Sequence, residues 1–266
     1  MHSAKSDTGL KRSHNEDCFV VDHSLGLYVV CDGMGGSNAG EIASALAVEA
    51  IHTHLAEVAK NPELPLIGPC DPTMSTAANR LASAIRAANE VVHRESWSSP
   101  DYEGMGTTVV AARLSKEMLA IAHVGDSRLY LIRNAAIHAL TTDHSWVAEQ
   151  MLKGVMTEEE AERSPRRNIV TRALGVDSSV EVELTEVPVK SGDVLLLCSD
   201  GLTRGVRPSE ILQILSGLED LSSLSDRLIA MANEAGGDDN TTVVVVALRK
   251  ALHTGLWERL KQRFVA

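Results

Sequence analysis

Apolar positions along the chain follow two periods, and the switches between them outline its elements. "CFVVD" and "LGLYVVCD", the latter ending at Asp32, are short apolar runs joined by the turn "HS", with Gly26 just after it, and read as two strands. Over residues 41–60 the period lengthens, and Ala47, Ile51, Leu55 and Val58 form the stripe of a helix. "NPELPLIGPCDP" (61–72), with four prolines, is a loop. Leu81, Ile85, Ala88 and Val92 then mark one face of a second helix. From Thr107 the pattern becomes sheet-like: "TTVVAARL", "MLAIAHVG", "RLYLIR" and "AIHAL" are short strands. The gaps between them cannot hold crossover helices, so an antiparallel meander is expected. Residues 144–175 begin helical and turn basic and irregular at "RSPRRN". Strands return at 180–187 and at "DVLLLCSD", helices are predicted at 208–216 and 222–235, and "TTVVVVALR" (241–249) suits a sheet interior.

Strands, two helices, many strands, helices and a last strand make an α+β order rather than alternating β and α. Stacked antiparallel sheets with helices outside would bury such nearly all-apolar strands on both faces. With no repeat or low-complexity linker, one domain is expected over residues 1–250. The tail 251–266, "ALHTGLWERLKQRFVA", places Leu252, Leu256, Leu260 and Phe264 opposite Arg259 and Arg263. An amphipathic helix packed on the domain edge is expected there, with a partner or membrane-surface contact as the alternative. His52 and His54, two apart on the first helix, face different directions and are expected to be solvated.

Composition narrows the function classes. The 266 residues are 44% hydrophobic, enough for a real core, but only 3% aromatic, so that core is built from Val, Leu, Ile and Ala. A formal net charge of −11 argues against nucleic acid or an anionic membrane as main partner. Cys18, Cys31, Cys70 and Cys198 form no C-x-x-C pair and no zinc spacing, which fits reduced thiols in the cytoplasm. The first residues lack the apolar core of a signal peptide. No apolar stretch approaches the ~18 residues of a transmembrane segment.

Candidate chemistry lies at strand ends. Asp32 follows "LYVVC", Asp126 follows "AIAHVG", Asp200 follows "VLLLCS", and Asp239 with Asn240 precedes "TTVVVV". Any one such Asp is an ordinary turn former or helix cap; four on apolar strands of one domain suggest a shared site. Two carboxylates ~4 Å apart repel by about 4 kcal/mol at an effective dielectric near 20, so either their pKa values rise or cations bind. Oxygen ligands without His or Cys favour Mg2+ or Mn2+ over zinc, and a pair of such ions is the usual clamp for attack on a phosphoryl group. The alternatives fail on the letters. "GMGGSNAG" has neither the Lys-Ser/Thr of a P-loop nor the third glycine of G-x-G-x-x-G, where Asn38 stands, and no G-x-S-x-G elbow exists.

The stretches "SDTGLKRSHNED", "VVCDGMGG", "GMGTTVV", "AHVGDSRLYL", "TTDHSWV", "SPRRNIVTRALG", "LLLCSDGLT" and "GGDDNTTVVVV" cover residues 6–248 in order. Together they resemble a bacterial metal-dependent protein serine/threonine phosphatase of the PPM type, the protein phosphatase 2C family. The resemblance implies a four-layer αββα sandwich, two central antiparallel sheets flanked by pairs of antiparallel helices. It implies hydrolysis of phosphoserine and phosphothreonine by direct attack of a metal-bridging hydroxide, with no covalent enzyme intermediate. Catalytic roles fall on Arg12, Asp32, Asp200 and Asp239. Asp32 would bridge two core Mn2+ or Mg2+ ions, the Gly33 carbonyl would bind the first, and Asp200 and Asp239 would complete the second. Asp126, with Asp200, would hold a possible third ion. Glu16 and Asp17 would act through metal-bound waters.

Arg12 matches the phosphate-binding arginine, whose planar fork suits that anion. Asp7 and Asp143 match as structural turn residues. Met34 stands where animal relatives place a histidine proposed as general acid, so the sequence names no acid; a metal-bound water is the first candidate. Residues 144–172 resemble the flap beside the active site, with helices joined by Gly154, and could select substrates or be a solvated loop. Phosphorylated proteins and a bacterial Ser/Thr kinase are the implied partners, and a monomer is expected. A non-catalytic phosphatase-like binding module and another two-metal phosphohydrolase remain as alternatives.

Overall fold

A computed structural model describes residues 1–35, 39–216 and 221–248. The expected tail helix at 251–266, and Gly36, lie outside the described residues. The strands are β1 (His2–Asp7), β2 (Asp17–Asp22), β3 (Leu27–Met34), β4 (Gly106–Thr107), β5 (Val109–Ser115), β6 (Met118–Val124), β7 (Arg128–Arg133), β8 (Ala136–Ala139), β9 (Glu183–Pro188), β10 (Val194–Cys198) and β11 (Thr241–Ala247). The helices are α1 (Ala39–Lys60), α2 (Thr76–Ser96), α3 (Trp146–Leu152), α4 (Glu158–Arg163), α5 (Asp200–Gly205), α6 (Pro208–Ser216) and α7 (Leu224–Glu234).

Two antiparallel sheets form, one in the order β1-β11-β10-β7-β8 and one in the order β2-β3-β5-β6-β9, with β4 added to β3. Three apolar clusters show why the strands read as unbroken hydrophobic runs. Tyr28 and Val30 of β3, Leu195 and Leu197 of β10, and Val244 and Val246 of β11 fill the space between the sheets. The alternate residues Leu27, Val29 and Cys31 of β3 face outward onto α1 and α2. Val194, Leu196 and Cys198 of β10, with Val243 and Val245 of β11, face the other helical layer, α5–α7. β3, β10 and β11 thus have two buried faces, and period-two alternation along them places side chains in different cores rather than in core and solvent. The order of layers is helices, sheet, sheet, helices.

Two expectations need correction. The four strands after Thr107 are not one meander: β5 and β6 pair in one sheet, β7 and β8 in the other. The chain changes sheet at Gly125, Asp126 and Ser127. Gly125 has φ +106°, a conformation open to glycine, and a Cβ there would come within 2.6 Å of the Thr108 side chain. His54 is not solvated: it is buried, 3.2 Å from the Ser83 hydroxyl on α2. It lies three residues after Ile51 and four before Val58, so it shares the face that α2 covers. His52 does point outward, and pairs with Asp22 at 2.9 Å.

Candidate active site

The alternation that buries Tyr28 and Val30 between the sheets carries on to Asp32, which reaches the same space at the mouth of the sandwich. Directly across the ladder from Asp32 is Asp17, the first residue of β2. Thr107 and Thr108 fix the backbone at this point. The Asp32 N–H donates to Thr108 Oγ1 (3.1 Å), and the Asp32 carbonyl accepts from Thr108 N (2.8 Å) and Thr107 Oγ1 (2.9 Å).

Both Asp-Gly pairs have a steric cause. A Cβ on Gly33 would sit 2.0 Å from the Gly40 carbonyl oxygen, and one on Gly201 would sit 1.9 Å from that of Asn240. Only glycine lets the start of α1 approach β3, and the start of β11 approach α5, this closely.

Asn240 ties the N-terminal loop to this mouth. Its side-chain amide donates to the carbonyls of Thr8 and His14, both at 2.9 Å, and its Oδ1 accepts from Glu16 N at 2.8 Å. The loop so held presents Arg12 and Glu16. Arg12, Glu16, Asp32, Gly33, Met34, Asp126, Asp200, Arg204 and Asp239 line one cleft, with Asn168 and Val170 from the segment after α4.

Electrostatics in the cleft are dominated by buried acid. Asp17 is pushed up to about 7, first by burial and then by Asp200 and Asp239, while hydrogen bonds from Thr242 and Ser199 work the other way. Asp126 is likewise pushed up to about 7 by burial, Asp200 and Asp143. Burial and four neighbouring aspartates raise Asp32 well above the carboxylate range. Burial raises Asp200 against the opposing pull of Arg204, and burial raises Glu16. Asp17 Oδ1 and Asp200 Oδ1 are buried and have no hydrogen-bond partner. Such orphaned anionic oxygens are costly unless a cation meets them. Oxygen-only donors, mutual repulsion and unpaired buried oxygens together fit hard divalent cations.

A model of the protein phosphatase 2C family matches residues 11–253. Serine/threonine phosphatase stp of Listeria monocytogenes is 40% identical over 250 residues, covering 92% of this chain and 95% of that protein. Protein phosphatase PhpP of Streptococcus pneumoniae is 35% identical, with 93% and 97% covered. Among solved structures, the Mycobacterium tuberculosis serine/threonine phosphatase PstP/Ppp superposes with a TM-score of 0.81 at 36% identity, covering 94% of this chain and 98% of that one. The chain belongs to the protein phosphatase 2C family. Another structure, of the catalytic domain of PstP in complex with two manganese ions, has a TM-score of 0.77 at 36% identity, with 92% and 96% covered.

Two features of this family member escaped the sequence reading. Arg204 enters the cleft from α5. It pairs with Asp200 through Nε (2.9 Å) and NH2, and with Asp239 through NH1 (2.5 Å). Its only signal was an Asp-Arg spacing of four within a short helix, which also describes any surface ion pair. Arg12 was anticipated as a phosphate ligand; in the structure its fork lies on Asp239, Nε to Oδ1 and NH2 to Oδ2, both at 3.0 Å.

The other feature is a histidine node at the start of the 144–172 segment. The rings of His123 and His144 stack with centroids 4.7 Å apart. With Glu183 they place three ligand-type atoms within 4.8 Å of one another. Their polar atoms are already engaged: His123 Nε2 with the Thr142 carbonyl, His144 Nδ1 with the Gly125 N–H, and His144 Nε2 with Glu183. Arg172 also stands 3.3 Å from His144 Nε2, a cation where a metal would have to be. The node joins His144 to the Gly125–Asp126 corner. Helices α3 and α4 follow, and Gly154 between them has φ +68°. The Ser145–Val170 bridge brings the two ends of this segment together.

Proposed function

We propose that this chain is a metal-dependent phosphatase that hydrolyses phosphoserine and phosphothreonine in proteins, with Asp32, Asp200, Asp239 and the Gly33 carbonyl holding two Mn2+ or Mg2+ ions. The observation that carries this reading is the carboxylate cluster at the sandwich mouth, with Asp17 Oδ1 and Asp200 Oδ1 buried and unpartnered. Bound there, the ions would neutralise the acids and lower the pKa of a water to the range in which it attacks phosphorus at neutral pH.

The protein's own part is placement. The Thr107 and Thr108 hydrogen bonds hold the Asp32 backbone so that its carboxylate has little freedom. Asn240 holds the loop that carries Arg12 at the cleft edge, where a guanidinium fork can take two oxygens of a phosphate. Glu16 and Asp17 would act through waters around the ions. Met34 has no proton to give to the leaving oxygen, and a water at the ions is the first candidate for that role. The catalytic unit is taken as residues 1–250, with the flap at 144–172 beside the cleft. We further propose a cytoplasmic monomer acting on phosphoproteins, including a Ser/Thr kinase.

Substrate class is tested by comparing turnover of a phosphothreonine peptide with that of a phosphodiester in Mn2+. Preference for the monoester peptide is expected; preference for the diester would favour a different two-metal phosphohydrolase.

A further inference from the structure

We propose that His2 and His23 form a site for a nitrogen-seeking divalent transition-metal ion, Cu2+ first among them, at the end of the sandwich remote from the cleft. The site shares no residue with the carboxylate centre and does not rest on the phosphatase reading.

His2 opens β1, the edge strand of one sheet, and His23 follows β2, the edge strand of the other, in the turn that leads to β3. Asp17 stands at the cleft end of β2; six residues on, at ~3.3 Å each, His23 is about 20 Å away. The turn is held in place by Asp22, whose Oδ1 accepts from Ser24 N (2.8 Å), Ser24 Oγ (2.6 Å) and Leu25 N (3.1 Å). His2 is held by the ladder opposite Val246, and the Met1 carbonyl beside it accepts from Ala247 N (3.0 Å). Both imidazoles are exposed, and they meet edge to edge. His2 Nδ1 lies 2.7 Å from His23 Nε2, with ring centroids 4.7 Å apart and planes tilted by 56°.

That spacing is close to what one ion needs. An ion ~2.0 Å from each nitrogen sets them ~2.8 Å apart at a right angle and ~3.3 Å apart at a tetrahedral angle. The observed 2.7 Å suits the right angle of tetragonal Cu2+ better than tetrahedral Zn2+. Mn2+ and Mg2+ favour oxygen and so belong to the carboxylates.

The far side of His23 is prepared as well. Its Nδ1 is 3.2 Å from the hydroxyl of Tyr28, a buried ring that packs edge-on against the imidazole at 5.8 Å. Donating Nδ1–H to that oxygen turns the Nε2 lone pair towards His2, as the outer hydrogen bond of a ligating histidine does. Burial, and then His2, lower the His23 pKa, so its ring is neutral and available at pH 7. Without an ion, His2 Nδ1–H donates to His23 Nε2. With one, His2 carries its single proton on Nε2, so no net proton is released and the pair opens by only ~0.1 Å. An ion there would join the edges of the two sheets.

The experiment adds one equivalent of Cu2+ to the full chain in excess Mg2+, which competes for the carboxylate centre. Imidazole NMR signals report the ligands, because the paramagnetic ion broadens the rings it touches, and calorimetry gives the affinity. His2→Ala and His23→Ala are compared with wild type. The ring signals of His2 and His23 should vanish before those of any other histidine. Either substitution should weaken Cu2+ binding about tenfold or more, since the second ring acts intramolecularly. Loss of another histidine's signals first would overturn the inference, as would a smaller loss of affinity in either variant.

Discussion

Stripping the ions should leave a protein whose stability falls as pH rises, opposite to ordinary acid denaturation. Asp17 lies opposite Asp32 with its Oδ1 buried, and its carboxyl stands at about 7, against 3.8 for a free aspartate. Below pH 4 both the folded and the unfolded chain keep this proton, and the group's stabilising contribution is fully present. Between about 4 and 7 the unfolded chain gives up the proton and the folded chain does not, so stability is lost until both are ionised. About three pH units at ~1.4 kcal/mol each give roughly 4 kcal/mol for Asp17 alone. Asp126 behaves in the same direction, but both groups feel Asp200, so the two contributions do not simply add. For a chain of this size 4 kcal/mol corresponds to roughly 8–16 °C in melting temperature. The assay is thermal or urea unfolding in EDTA at pH steps from 4 to 8, repeated in Mn2+ and with Asp17→Asn. In EDTA the wild type should lose stability over this range. Asp17→Asn should lose several kcal/mol less, and Mn2+ should restore the high-pH stability. An Asp17→Asn slope equal to that of wild type would refute the argument.

Three further outcomes follow from contacts away from that titration. Gly33→Ala should cost about 1–3 kcal/mol and weaken Mn2+ binding, because its Cβ would sit 2.0 Å from the Gly40 carbonyl and push α1 away from Asp32; unfolding and metal titration check both parts. Asp193→Ala should destabilise by about 2 kcal/mol in urea, since its buried carboxylate is gripped by Arg133 at 2.9 and 2.6 Å and also accepts from Lys190 N. His144→Asn should speed amide exchange across residues 144–172 by loosening the base of that segment, where the Trp146 N–H bonds the Ile169 carbonyl at 2.8 Å; unchanged exchange would show that the node does not anchor the segment.

Much of the fold was legible because its central strands are buried on both sides. Runs such as "LYVVC" and "TTVVVV" admit little else, and the period change over 41–60 marks α1 within a few residues. The first strand was not legible: "HSAKSD" is polar, and its pairing with β11 comes from the edge it occupies, not from its own pattern. The sheet change at Gly125 was hidden because a short gap reads the same whether the next strand turns back in its own sheet or crosses to the other. In the site, Asp32, Asp126, Asp200 and Asp239 announced themselves as acids at the ends of apolar runs. Asp17 was harder to place, since only the β2–β3 register sets it opposite Asp32. Arg204 was invisible for a plainer reason: an arginine four residues after an aspartate is common on any helix, and only the meeting of α5 with Asp239 makes it part of the cleft.

The central claim is that the carboxylate cluster works as a cation-dependent centre for phosphate monoesters. Phosphate release from a phosphothreonine peptide, measured in Mn2+, in Mg2+ and after EDTA, with Asp32→Ala and Asp239→Ala alongside, tests it most directly. Activity should require Mn2+ or Mg2+, vanish in EDTA, return when Mn2+ is restored, and be absent from both variants. Undiminished release in EDTA, or from either variant, would contradict it.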